Sequence, residues 1–146
     1  MLYVVLAIQL CLMFRKGDIV KNLNISETLN FILALQKNAG CNNNCDESCT
    51  RPFLGPTSEI CYNTRPITLF TCCTGTNWTM PYELNGTAGT STVFRIENTD
   101  NNCATFRVLI PTTTPEGTTY SLSNSYFTID LSCVLAIQCL PDIYAV

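Results

Sequence analysis

Ten cysteines and no histidine in 146 residues set the chemistry this chain can do. Without an imidazole, a cysteine lacks the usual base of a Cys–His nucleophile, and a zinc site lacks its commonest nitrogen ligand. What remains is cross-linking, sulfur-only metal binding, or burial as a small apolar side chain. The spacing favours cross-linking. Cys41, Cys45 and Cys49 cluster, Cys72 and Cys73 are adjacent, and Cys11, Cys61, Cys103, Cys133 and Cys139 are dispersed. A sulfur-only zinc site normally shows two closely spaced pairs and a dithiol oxidoreductase a Cys-x-x-Cys, and the sequence has neither. We therefore assign no metal, cofactor or catalytic residue, and read the chain as a non-enzyme. A thiol or metal-thiolate protein is kept as the alternative, as is a secreted disulfide-rich binding module.

Several thiols admit more than one role. Cys45 and Cys49 fall in the polar run CNNNCDESCTRP, which Gly40 and the asparagines mark as a surface loop rather than a helix. We read both as disulfide donors to a neighbouring subunit, with an internal staple involving Cys41, or a metal, as alternatives. On a strand, Cys72 and Cys73 would face opposite sides, one toward the core and one outward. Cys103, Cys133 and Cys139 are either buried thiols or cross-linkers, and Cys133 and Cys139, six residues apart, would share one face of a strand. Arg65, Arg95 and Arg107 are the interface candidates. Two of them sit in apolar strands, where a guanidinium needs a carboxylate or carbonyl partner. A neighbouring subunit, or Glu97 or Asp130 internally, would supply it. Glu97, Asp100 and Asp130 read as turn and solvent-face groups, not as a catalytic pair.

The elements that must position these residues are legible from periodicity. The length suits one domain with a real core, so the cysteines exceed what folding requires. With 47% apolar residues, 13% charged and a formal charge of −3, the surface repels its copies weakly. That balance excludes a polyanion partner such as nucleic acid. Residues 1–14 (MLYVVLAIQLCLMF) are apolar but short of the ~20 needed for a membrane span. They read as a degenerate signal, a short anchor or a buried element, in an extension covering residues 1–23 ahead of a domain covering 24–146. Asn24 and Glu27 have capping-box spacing, and Ile25, Leu29, Ile32 and Leu33 recur at helical intervals up to Gly40. From Ile67 the runs ITLFTC, TVFRIE, ATFRVLI, TTYSL and YFTID predict short strands, with SCVLAIQCL continuing the last of them. The threonine-rich stretches 87–92 and 112–119 read as turns. The expected fold is mainly β: one β-sandwich-like domain with a short N-terminal helix.

Six motifs in order give the chain a resemblance. They are FILALQ (31–36), Cys45-x3-Cys49-x2-Pro52-Phe53-Leu54-Gly55, and Asn63-Thr64-Arg65-Pro66. Phe94-Arg95-Ile96-Glu97 follows, then Cys103-Ala104 with Arg107-Val108-Leu109, and finally Asp130-Leu131-Ser132-Cys133 with Ala136-Ile137-Gln138-Cys139-Leu140. Together they resemble the cysteine-rich spore coat protein Y and Z family (CotY/CotZ, with the exosporium protein ExsY). The resemblance implies a structural protein of the spore coat or exosporium, made in the mother-cell cytoplasm. It implies self-assembly as a homo-oligomeric ring, a hexamer in the family, tiled into a two-dimensional lattice with other coat proteins and hardened by disulfides. The chain departs from the family pattern in its apolar start, in the Cys72-Cys73 pair and in Pro141.

Overall fold

Helical spacing before Gly40 is realised as α1 (Ile19–Lys37), whose Leu29, Ile32, Leu33 and Gln36 are buried along one face. The computed structural model describes residues 19–39 and 62–146. The helix begins five residues ahead of the expected cap at Asn24. No glycine or proline lies between Asp18 and Lys37 to break it, so Asn24 and Glu27 are interior positions and form no capping box. It also runs through residue 23, where an extension and a domain were expected to meet.

The remainder is β, in seven described strands: β1 (Ile67–Thr71), β2 (Met80–Leu84), β3 (Thr87–Ser91), β4 (Phe94–Asp100), β5 (Cys103–Thr114), β6 (Gly117–Asp130) and β7 (Val134–Cys139). Five of them form an antiparallel sheet in the order β6-β5-β4-β1-β7, and β2 and β3 form a separate hairpin. The two threonine stretches expected as turns are strand instead. Residues 87–91 are β3, and Thr112 and Thr113 pair with Thr119 and Thr118 in the arms of the β5–β6 hairpin. TTYSL and YFTID are one continuous strand. The segment after Asp130 does not prolong it. Leu131–Cys133 form a 3-10 turn, capped where the Asp130 carboxylate accepts from the Ser132 N–H at 2.9 Å, and the chain emerges as β7 on the opposite edge.

That short crossing shapes the sheet. Four residue steps reach at most ~14 Å, whereas the outer strands of a flat five-stranded sheet lie ~19 Å apart. The sheet must therefore curl. Its concave side holds Phe94, Phe106 and Phe127, with centroids 4.8 Å apart for Phe94–Phe127 and 5.5 Å for Phe106–Phe127. Leu29, Ile32 and Leu33 of α1 cover this cluster, and Trp78, Met80 and Tyr82 on and before β2 pack against it. Helix and hairpin thus make the second layer of a sandwich-like domain. Gly89 lies opposite Tyr82, where a Cβ would stand 2.5 Å from the ring, so glycine lets the tyrosine lie over its partner strand.

Three register shifts break the ladder, between Phe70 and Thr71, between Ile96 and Asn98, and between Arg107 and Leu109. At each of the last two, a buried side chain takes up a local carbonyl. Gln36 Nε2 donates to Ile96 O at 2.8 Å, and Ser123 Oγ donates to Val108 O at 2.6 Å. The Gln36 carbonyl oxygen also accepts from the Arg65 N–H at 3.2 Å, so one side chain clamps α1 to β4 and to the entry of β1.

Candidate functional site

The described cysteines all lie off the core. Cys103 opens β5 and Cys139 closes β7, and both are exposed free thiols. Cys72 and Cys133 are half-buried at the end where β1 meets β7, and the Cys72 N–H donates to Cys133 O at 3.0 Å. Cys73 is exposed and disulfide-bonded within its own chain. Cys41, Cys45 and Cys49, with Cys11 and Cys61, lie outside the described residues.

Two expectations about these thiols change. Cys72 and Cys73 do not face opposite sides: they sit in a turn after β1, with sulfurs 3.6 Å apart. Cys133 and Cys139 do not share a strand face, because Cys133 belongs to the 3-10 turn. Nor is any of Cys103, Cys133 and Cys139 buried. Cys139 is level with Ile67, Phe94 and Val108 across the sheet, while Cys103 lies five residues further along β5. That is ~16 Å along the strand direction, beyond the ~7 Å limit between Cα atoms for a bond.

Each candidate arginine finds its partners inside the chain. Arg65 donates Nε and Nη2 to the two carboxylate oxygens of Asp142 at 2.7 and 2.9 Å, a bidentate fork. That bond holds the Asp142 carboxyl below the usual aspartate range and raises Arg65. Arg95 donates to Glu97 at 2.8 Å, to Thr64 Oγ1 at 3.0 Å and to Asn63 O at 3.3 Å. Arg107 donates to the Ser123 carbonyl and to Asn124, with its guanidinium 5.1 Å from the centre of the Tyr126 ring. A neighbouring subunit is thus not needed to satisfy these charges. Arg95 and Arg107 face each other across β4 and β5, a like-charge pair offset by these separate partners.

A cleft of about 240 Å³ between the end of α1 and the entry to β1 is lined by Gln36, Tyr62, Asn63, Thr64, Arg65 and Asp142. Its polar groups are spent on the fold. Asn63 brackets Ala145, accepting from its N–H at 2.8 Å and donating to its carbonyl at 2.9 Å. Asp142, Gln36 and Asn63 had escaped the sequence reading. The motif Asn63-Thr64-Arg65-Pro66 was the available signal, since three of its members hold the C-terminal segment. Among the described residues, no group of three or more His, Cys, Asp or Glu side chains could hold a metal, and no helix is long and apolar enough to cross a membrane.

A family model described as spore coat protein Z matches residues 16–126. No curated protein and no solved structure matches the chain.

Proposed function

The chain belongs to the spore coat protein Z family, and on that premise we propose that it is a self-assembling subunit of a spore-surface layer, locked by disulfides between copies. The observation that carries this reading is the pair of exposed free thiols, Cys103 and Cys139, set too far apart to bond to each other. A second copy of the chain supplies their partners. Association comes first, through apolar surface. Phe31 is 60% exposed and Tyr126 54%, and the low overall charge does little to keep copies apart. The edge strand β7 ends in Cys139 and carries no charge and no proline, the devices that usually keep an edge from pairing.

Assembly begins in the reducing mother-cell cytoplasm, and oxidation follows when the layer meets an oxidising environment. Weak contacts therefore settle into register before covalent bonds fix it. A ring tiled into a sheet is the form we expect, in the coat or the exosporium, alongside other coat proteins.

The test is gel electrophoresis of oxidised assemblies with and without reductant, combined with electron microscopy. Wild-type protein should give a high-mass ladder that collapses to monomer on reduction. The double variant Cys103→Ser, Cys139→Ser should lose most of that ladder while still associating. Small soluble particles after oxidation, with every sulfur bridged internally or left as a thiol, would overturn the proposal.

A further inference from the structure

The two exposed free thiols sit in unlike electrostatic surroundings. Cys103 is paired directly with Asp100 on β4 and with Asp130 on β6, so the three form one row across the sheet. Directly opposed residues share a face, with Cβ atoms ~5 Å apart, and all three are exposed. Asp100 has no ion-pair partner among the described residues, and the Asp130 carboxylate accepts from the Ser132 N–H. Cys103 therefore opens onto solvent between two carboxylates. Cys139 is paired with Ile67, two residues beyond Arg65. The Arg65 pKa is raised by the hydrogen bond to Asp142, against the cost of burial, and further by the charges of Asp142 and Cys139. That places the guanidinium within electrostatic reach of Cys139. The fork to Asp142 uses Nε and Nη2. A guanidinium carries five N–H donors, so Arg65 keeps donors for a second carboxylate.

We infer that Cys139 of one copy bonds to Cys103 of the next, and that neither bonds to its own kind. A disulfide holds its Cα atoms about 4.4–6.8 Å apart. A Cys103–Cys103 bond would thus bring the aspartates of two copies within about a Debye length, ~8 Å at physiological salt. Like charges at that separation repel. A Cys139–Cys139 bond would bring two Arg65 guanidinium groups together and offer their spare donors no carboxylate. The mixed bond sets Arg65 of one copy against Asp100 and Asp130 of its neighbour, opposite charges at the same separation. Its two ends use different surfaces, so the contact is heterologous. It repeats from copy to copy and either closes into a ring or runs on. A bond between like residues would instead be two-fold symmetric and stop at a pair. Dioxygen is the oxidant. The two thiols give up two electrons and two protons as the S–S bond forms, and dioxygen is reduced to hydrogen peroxide. The inference rests on the cross-linking reading and adds which sulfur meets which.

The experiment mixes full chains of natural and heavy-nitrogen content while reduced and dilute, then concentrates and oxidises them in air. After digestion without reduction, joined peptides are read by tandem mass spectrometry. Peptides joining Cys103 to Cys139 should predominate and include pairs of mixed isotope content, the mark of a bond between copies. Asp100→Asn, at an exposed site, should raise the Cys103–Cys103 share about twofold or more, the scale of an exposed charge contact. Equal parts of Cys103→Ser and Cys139→Ser should form the mixed bond. Each variant alone should leave its remaining sulfur of the pair open to alkylation. Joined peptides in which each sulfur meets its own kind, or another cysteine, would overturn this inference and leave cross-linking between copies standing. Cys103–Cys139 peptides of uniform isotope content alone would overturn it too, as would unchanged shares in Asp100→Asn. Absence of any bond between copies at either position sinks both readings.

Discussion

Arg65 and Asp142 are the charges whose pairing can be read as a function of pH. Asp142 titrates below the ordinary aspartate value because Arg65 donates to it through two nitrogens. A carboxylate with a depressed folded-state pKa stabilises the fold above its unfolded value, ~3.9. That contribution fades as pH falls through the folded value. The side chains are 32% and 37% exposed, so solvent screening limits the pair to ~0.2–1 kcal/mol. Asp142→Asn should therefore lower stability by roughly 0.5 kcal/mol at about pH 7 in urea unfolding. The difference from wild type should shrink at acid pH, as wild-type Asp142 takes up its proton on passing through its lowered folded-state value. An equal difference at neutral and acid pH would mean that packing, not charge, connects the C-terminal segment to Arg65. Arg95–Glu97 was legible in the sequence as one of two readings, because the residues are two apart on one strand. Arg65–Asp142 was not, since nothing in a linear pattern brings together residues 77 positions apart.

Gln36 shows how elements depend on one another. Its amide reaches two backbone groups that would otherwise be buried without partners, the Ile96 carbonyl at the β4 bulge and the Arg65 N–H before β1. A leucine there would fill the volume and satisfy neither. Each orphaned buried group costs ~1–3 kcal/mol, so Gln36→Leu should lose about 2 kcal/mol or more in chemical denaturation. Full stability in the variant would show that water enters to replace the amide. The helix itself was legible from Leu29, Ile32 and Leu33, and β1, β4 and β5 from their apolar and β-branched runs. The β2–β3 hairpin was missed although its signal was present. Asn85 and Gly86 have φ of 51° and 79°, the two-residue turn that an Asn-Gly pair favours between strands. The strands beside it, with Pro81 and the weakly patterned Thr87–Ser91, carry too little hydrophobic alternation to stand out. Where β7 joins the sheet was also hidden. Its partner β1 is more than sixty residues earlier, and the turn that redirects it is only three residues long.

At the scale of the whole molecule, the fold and the proposed cross-links draw on different parts of the sequence. The core is built from phenylalanine and branched aliphatic side chains of α1, the curled sheet and the 3-10 turn, and it contains none of the described cysteines. Sulfur lies instead at strand ends and in a turn, where a bond to another copy leaves the interior undisturbed. On the proposed function, a subunit would fold while reduced, associate reversibly and only then be fixed, because none of the described cysteines belongs to the core. Reducing an oxidised layer should then release subunits without unfolding them. Far-ultraviolet circular dichroism should keep its β signature, and the Phe94–Phe106–Phe127 cluster should stay protected in hydrogen exchange, while the high-mass species disappear. Phe127→Ala should do the reverse. Emptying the core costs ~3–5 kcal/mol, so subunits should melt early while the thiols of those still folded cross-link as before. If reduction alone abolished the β signal, the disulfides would belong to the fold, and separation of folding from locking would fail for this chain.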